Sequence, residues 1–373
     1  MKEDTNMKNL KITTFPVLRL SALATALALT GCGGGGSSTP SGSNTGTGGT
    51  GTTCGTSQVL INGVCTMPAD LQTSVPTPPF PAGSEELKSF NYLNDFRKSL
   101  GLGLLAYSPE LTLSAANHAN YLKINQVGGF DEDPLKPGFT GKTLSDRANF
   151  AGYKTNQFIS GGLALANTSS GAIQALINTI YHRSILIDQS VRDVGSATYC
   201  FTCDGSVALN IILARKDTIG QRNASDFAMF YPVNKQTNVN LTMAGETTNP
   251  FPEYPDGLVY GKVGYPISFA LEASQTLNLK DFTLTEAGST MPLNAYVYTA
   301  LNDPQKFIPK NEAWITAKAQ LKPSTTYTAV LHGSVNGQDF SCVVENGNLK
   351  IVVGKSDGCT TSFTTADRLL PSF

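Results

Sequence analysis

The chain holds three histidines, His118, His182 and His332, and seven cysteines, so acid–base, metal or thiol chemistry has few places to reside. His182 follows an apolar helical run (Ala172, Ile173, Leu176, Ile177, Ile180) and precedes Arg183, at a turn where a side chain can face a cleft. Upstream, Asp131 and Glu132 are the acids it could meet, which would give a general acid–base pair for hydrolysis. His118 falls seven residues after Leu111 and three after Ala115, on the inner side of a helix, where a neutral imidazole serves packing and a hydrogen bond. His332 lies in a strand-like run and carries no motif. No Gly-x-Ser-x-Gly nucleophile elbow, a strand-to-helix turn, is read in the chain. Cys200-x-x-Cys203 joins two strand-like runs and has no second Cys pair to complete a zinc site. Gly101-Leu-Gly103 follows a helix instead of a strand, so it is not a dinucleotide fingerprint.

Residues 1–32 read as an export signal. Lys8, Lys11 and Arg19 supply the positive region, and residues 18–29 supply an apolar run well short of the roughly 20 residues that span a bilayer. The run ends in Leu29-Thr30-Gly31-Cys32, which resembles the bacterial lipobox, with Met1 or Met7 as the start. That resemblance implies a diacylated Cys32 at the mature N-terminus. Gly33 after it implies the outer membrane of a Gram-negative cell, facing the periplasm or the cell surface. Residues 33–83 form a Gly/Ser/Thr-rich tether with a small loop between Cys54 and Cys65; as coil it reaches ~40 Å. Lipidation of Cys32 leaves six of the seven cysteines. Six in an exported protein favour disulfides and admit about fifteen pairings. The simplest is local: Cys54–Cys65, Cys200–Cys203 and Cys342–Cys359.

A net charge of −1 with 15% charged residues excludes a nucleic-acid binder, whose affinity needs phosphate neutralisation. The remaining length divides at about residue 224. In residues 84–224, Ser84 can cap a helix carrying Leu87, Phe90 and Leu93, ended by Gly101. Ser108 and Pro109 open a second, ending near Gly128-Gly129, and the apolar run 172–180 makes a third. Two strand-like runs, 194–199 and 207–214, follow. Helices then a hairpin predict an α+β class.

Asn94-x-x-Arg97-x-x-x-Gly101-Leu102, Ala115-Ala116-x-His118-Ala119-x-Tyr121, Gly138-Phe139-Thr140-Gly141, Asp146-Arg147, Ala151-Gly152-Tyr153, Tyr181-His182-Arg183-x-x-Leu186 and Val194-Gly195 run in an order that resembles the CAP superfamily. The resemblance implies an α-β-α sandwich with a central antiparallel sheet. It also implies a cleft lined by two histidines and two acids able to hold a divalent metal. His182 matches the second histidine. Where the first should stand the sequence reads Phe130-Asp131-Glu132-Asp133, and Gln157-Phe158-Ile159 replaces the usual Glu-Asn-Ile. The resemblance therefore implies a depleted cleft (His182, Arg183, Gln157, Asp131, Glu132), without metal or cofactor.

Residues 225–373 alternate short apolar runs with Asn, Gly and Pro turns, which predicts an all-β sandwich. Leu321-Lys-Pro-Ser-Thr-Thr-Tyr327 resembles bacterial Ig-like modules. The leading expectation is a non-enzymatic, lipid-anchored envelope protein that binds a lipid, a small apolar ligand or an envelope partner. A hydrolase using His182 with Glu132 or Asp131 is the second reading. An adhesin or scaffold acting through the Ig-like part is the third.

Overall fold

The computed structural model describes residues 59–61, 64–200, 206–218 and 220–371. The expected signal, Cys32, most of the tether, Cys54 and Cys203 lie outside them. Among the described residues no helix is long and apolar enough to cross a membrane.

A short antiparallel hairpin, β1 (Val59–Ile61) with β2 (Val64–Thr66), precedes the helical half. Helix α1 (Glu85–Ser99) starts where the Ser84 hydroxyl accepts the Leu87 N–H at 3.2 Å, and Glu85 and Glu86 in its first turn face the positive end of the helix dipole. It ends before Gly101, which takes a left-handed φ of 71°. After β3 (Ala106–Tyr107), Ser108 caps α2 (Pro109–Asn125) through the Leu111 N–H, with Pro109 in the first turn, where its missing N–H costs nothing. The helix stops at Gln126, short of the expected glycines, because Gln126 itself adopts the left-handed cap. Helix α3 (Leu144–Phe150) was not expected; Thr143 and Asp146 build a reciprocal capping box around its start.

β4 (Ile159–Ala166) leads into α4 (Ser169–Ile177) and α5 (Tyr181–Leu186), then β5 (Asp193–Tyr199) and β6 (Val207–Ala214). The single helix expected over 172–180 is thus two. The Thr179 hydroxyl bonds back to the Leu176 carbonyl at 2.8 Å, and the chain restarts at Tyr181. The sheet order is β3-β5-β6-β4, antiparallel except for the short parallel pair of β3 with β5. Strand β6 shows why it is covered on both faces. Leu209, Ile211 and Leu213 enter the core with α1 and α4, whereas Ile212 and Ala214 enter the smaller one with Leu111, Ala115 and Ala148. The α-β-α arrangement follows.

The second half is β-rich. It comprises β7 (Ala228–Tyr231), β8 (Gln236–Val239), β9 (Ile267–Leu271), β10 (Asn278–Glu286), β11 (Ala295–Thr299), β12 (Glu312–Ala317), β13 (Thr326–Val335), β14 (Gln338–Glu345), β15 (Asn348–Val353) and β16 (Cys359–Thr365). One sheet runs β15-β14-β13-β16-β8 with β10 also paired to β13; the other runs β11-β12-β9-β7. Tyr327, Ala329, Leu331 and Val335 alternate inward along β13. Asn336-Gly337 and Asn346-Gly347, all at positive φ, turn β13 into β14 and β14 into β15. The ring pairs Phe269–Phe340 and Phe230–Phe282 join the two sheets, and Cys342 is disulfide-bonded to Cys359. Cys200 is also disulfide-bonded, its expected partner lying outside the described residues. One apolar cluster runs from Leu93 and Leu176 through Tyr231 and Trp314 to Phe363, crossing the expected boundary at residue 224 without a break.

Gly195 marks the tightest helix–sheet approach. A Cβ there would lie 2.2 Å from the Thr112 amide nitrogen and 2.3 Å from the Leu111 carbonyl carbon. Gly195→Ala must push α2 off β5, and it is expected to cost about 3 kcal/mol in a urea titration; a loss under about 0.5 kcal/mol would show that the helix can move freely.

Candidate functional site

Helix α5 carries the His-Arg pair, and no side chain of its own caps it. The cap comes from the β-rich half. Glu246 Oε2 accepts the backbone N–H groups of Ile180 and Tyr181, each at 3.2 Å, and Oε1 accepts that of His182 at 2.9 Å. The same Oε1 lies 2.7 Å from His182 Nδ1. A carboxylate at a helix N-terminus satisfies donors the helix cannot satisfy itself and opposes the dipole. His182 is 6% and Glu246 1% exposed, so the pair is sealed from solvent.

The neighbours of His182 point the same way. The Tyr181 hydroxyl donates to Asp303, and burial together with that carboxylate holds the phenol far above its ordinary pKa. The Arg183 guanidinium donates to the Pro266 carbonyl at 2.7 Å and lies 4.8, 5.1 and 5.1 Å from the ring centres of Tyr231, Tyr265 and Trp314. Burial lowers its pKa, and the three aromatic faces replace part of the lost hydration. The Ser184 hydroxyl donates to Glu312 at 3.2 Å, which also accepts the Trp314 indole N–H at 3.0 Å. Four consecutive side chains of α5 therefore plug into the β-rich half.

The acids expected beside His182 are elsewhere. Glu132, 2% exposed, pairs with His118 Nδ1 at 2.9 Å and accepts the Thr140 amide at 2.6 Å, with Arg147 Nε 3.8 Å away. His118 Nε2 rests 2.9 Å from the Gly129 carbonyl. This network staples the α2–α3 connection onto α2. Asp131 is exposed and acts on Arg147 only through its charge. Gln157 is half-buried and bonds Asn156. The expected cleft of His182, Arg183, Gln157, Asp131 and Glu132 is corrected accordingly. His182 and Arg183 face the β-rich half, the other three do not join them, and the two networks share no residue. The physical reason is that each buried group is taken by another partner, Glu132 by His118 and Thr140, and His182 by Glu246 of the β-rich half. Among the described residues no three His, Cys, Asp or Glu side chains gather as metal ligands would.

Two groups of site residues escaped the sequence. Glu246 stands in a segment without periodicity or motif, and nothing along the chain signals its reach of 64 residues back to His182. The expected absence of a Gly-x-Ser-x-Gly run is corrected: Gly354-Lys355-Ser356-Asp357-Gly358 is one, and it joins two strands instead of a strand and a helix. Its serine borders a surface cavity of about 290 Å³ that His332 and Asp281 also line.

Residues 90–212 match the model of the cysteine-rich secretory protein family, CAP. No curated protein matches the chain. Among solved structures, an outer surface protein of Borrelia burgdorferi is 17% identical over 37% of this chain and 97% of its own, with a TM-score of 0.32. An extracellular SCP-domain protein of Bacillus anthracis is 20% identical over 35% of this chain, at a TM-score of 0.30, and the match spans only 40% of its length. Venom allergen-like protein 4 of Schistosoma mansoni is 14% identical over 37% and 93%, at 0.26.

Two outcomes follow from these networks. Glu246→Ala strips His182 and three backbone amides of their partner, so it is expected to cost about 3–5 kcal/mol in urea, with Glu246→Gln costing less; equal stability of Glu246→Ala and the parent would show the pair to be idle. The second concerns acid. Burial outweighs the Glu132 bond and lowers the pKa of His118. Burial pushes Glu132 up, but the His118 and Thr140 bonds and the Arg147 charge bring its carboxyl below the ordinary range. In both cases the unfolded chain binds the proton more readily, so stability falls with pH. The His118 contribution is present above about 6.5 and the Glu132 contribution above about 4.3, each being lost as pH falls through the lower folded value. His118→Gln should flatten the urea midpoint between about pH 6.5 and 5; an unchanged slope there would contradict the assignment.

Proposed function

We propose that residues 90–212, which match the cysteine-rich secretory protein (CAP) family model, are a domain of that family, and that the chain is a lipid-anchored cell-envelope protein whose CAP half works by binding and not by chemistry at His182. The observation that carries this reading is Glu246, which occupies the imidazole Nδ1 and the three amides around it. A general base needs its proton donor within hydrogen-bond reach. Glu246 takes Nδ1 and holds the ring inside the joint, where at 6% exposure its Nε2 has no access to a substrate. The His-Arg motif has become the joint between the two halves.

Binding then falls to the outside of the CAP half. Leu113, Ile124, Leu135, Phe139 and Phe150 are exposed large apolar side chains on α2, α3 and their connection, with Leu135 92% exposed. Gly138 brings that connection against α2, since a Cβ on it would lie 2.9 Å from Ile124 Cδ1. Exposed apolar groups of this kind suit a lipid, a small apolar ligand or an envelope protein. The run Leu29-Thr30-Gly31-Cys32 and the Gly-rich stretch after it support an acylated tether, with the folded part standing off an outer membrane towards periplasm or exterior. Neither nucleic acid nor a cofactor enters this reading.

Cys32→Ser is expected to move the protein from the detergent phase to the aqueous phase of a Triton X-114 partition; retention in the detergent phase would refute the anchor. His182→Ala is expected to lower the unfolding midpoint without removing any hydrolysis. Metal-dependent hydrolysis that vanishes in His182→Ala at a temperature where the variant stays folded would refute the binding role.

A further inference from the structure

The five-residue loop Gly354–Gly358 between β15 and β16 is held at several points. The Gly354 N–H donates to the Asp339 carbonyl at 2.7 Å, the Asp357 N–H to the Ser341 hydroxyl at 2.9 Å, and the Cys342 N–H to the Gly358 carbonyl at 3.1 Å. The Cys342–Cys359 bond closes its far end. Gly354 and Gly358 have φ of 79° and 75°, where a side chain is strained. A Cβ on Gly358 would also lie 2.5 Å from Cδ2 and 2.8 Å from Nε2 of His332, so this edge of the imidazole covers the loop two residues from Ser356. On the ring's other side, Nδ1 lies 2.8 Å from Asp281 Oδ1, the two residues standing opposite each other in the β10–β13 register. Asp281, His332 and Ser356 line one open cavity of about 290 Å³ with Lys280, Asp339 and Phe340.

We propose that Ser356, His332 and Asp281 form a hydrolytic site for short-chain acyl esters, independent of the CAP half. The Asp281 carboxylate takes the Nδ1–H and leaves the Nε2 lone pair as the base. The Ser356 hydroxyl makes no hydrogen bond to another described residue. No hydrogen bond joins its oxygen to Nε2 in the structure, so the step requires that contact to form with substrate bound, the loop carrying Ser356 and the ring lining the same cavity. As Ser356 Oγ attacks the ester carbonyl carbon, its proton passes to Nε2. The imidazolium then returns that proton to the departing alkoxide as the carbon–oxygen bond breaks, which leaves an acyl-serine. A water molecule attacks this acyl group, giving a proton to Nε2, and the proton ends on Ser356 Oγ as the acid departs. The Lys280 ammonium, ion-paired with Asp339 at 2.6 Å, is the lysine or arginine among the lining residues and would face the oxygen's negative charge. The size of the cavity suits acetyl or butyryl groups.

The mature chain should be tested with a fluorophosphonate probe and with p-nitrophenyl acetate and butyrate. Peptide mapping is expected to place the label on Ser356. Turnover should fall about 100-fold in Ser356→Ala and in His332→Ala, the usual weight of positioned proton transfer. Asp281→Asn should lower kcat with KM unchanged, as expected of a positioning residue. Ser356 is exposed and the His332 side chain is 37% exposed, so both variants should keep the parent's unfolding midpoint. Label on another residue, or equal turnover by Ser356→Ala and the parent, would overturn the proposal. Turnover lost in His182→Ala but kept in Ser356→Ala would sink both this site and the binding role of the CAP half. Turnover kept in His182→Ala and lost in Ser356→Ala would uphold both.

Discussion

The contact on which the rest depends is the carboxylate of Glu246 at the N-terminus of α5. A six-residue helix has too few internal hydrogen bonds to offset the cost of starting it, and this one has no residue of its own to close the first turn. Glu246 supplies the missing acceptor to three amides and the His182 ring at once. With that turn fixed, Tyr181, Arg183 and Ser184 are aimed at Asp303, the aromatic trio and Glu312. Burying an arginine is tolerable only where its donors are bonded and its charge meets something polarisable. The Ile177 and Pro266 carbonyls bond Nε and Nη1 and three rings lie against the guanidinium, while Nη2 makes no hydrogen bond.

Much of the helical half was legible because its signals are local. Ser84 and Ser108 are caps that act within three residues, Pro109 suits a first turn, and β6 writes its two-faced burial as an apolar run broken only by Asn210. The Cys342–Cys359 pair was legible for the same reason, being close in sequence. The split between α4 and α5 was not, since the apolar spacing of 172–180 runs past the break. What decides it is Thr179 turning back on Leu176 and a glutamate far along the chain.

The candidate site was misread for a physical reason of the same kind. Asp131 and Glu132 are near the segment where a cleft histidine would stand, and charge alone made them partners for His182. Glu132 is instead consumed by His118, whose inward helix phase is legible but whose partner, 14 residues on, carries no signal in the sequence. Two polar groups buried in one half had to be satisfied locally, and each carboxylate served the nearest donor. The motif around Ser356 differs from a nucleophile elbow in its setting, a disulfide-closed connection between two strands.

The apolar cluster shared by both halves also sets an order of events during synthesis. Arg183 cannot enter its aromatic surroundings before Trp314 has left the ribosome, and α5 has no cap until residue 246 has emerged. The N-terminal half is therefore translated well before it can be completed, and its unfinished edge stays open while more than a hundred further residues follow. In a chain built this way the N-terminal half reaches its final packing only once the C-terminal half is present.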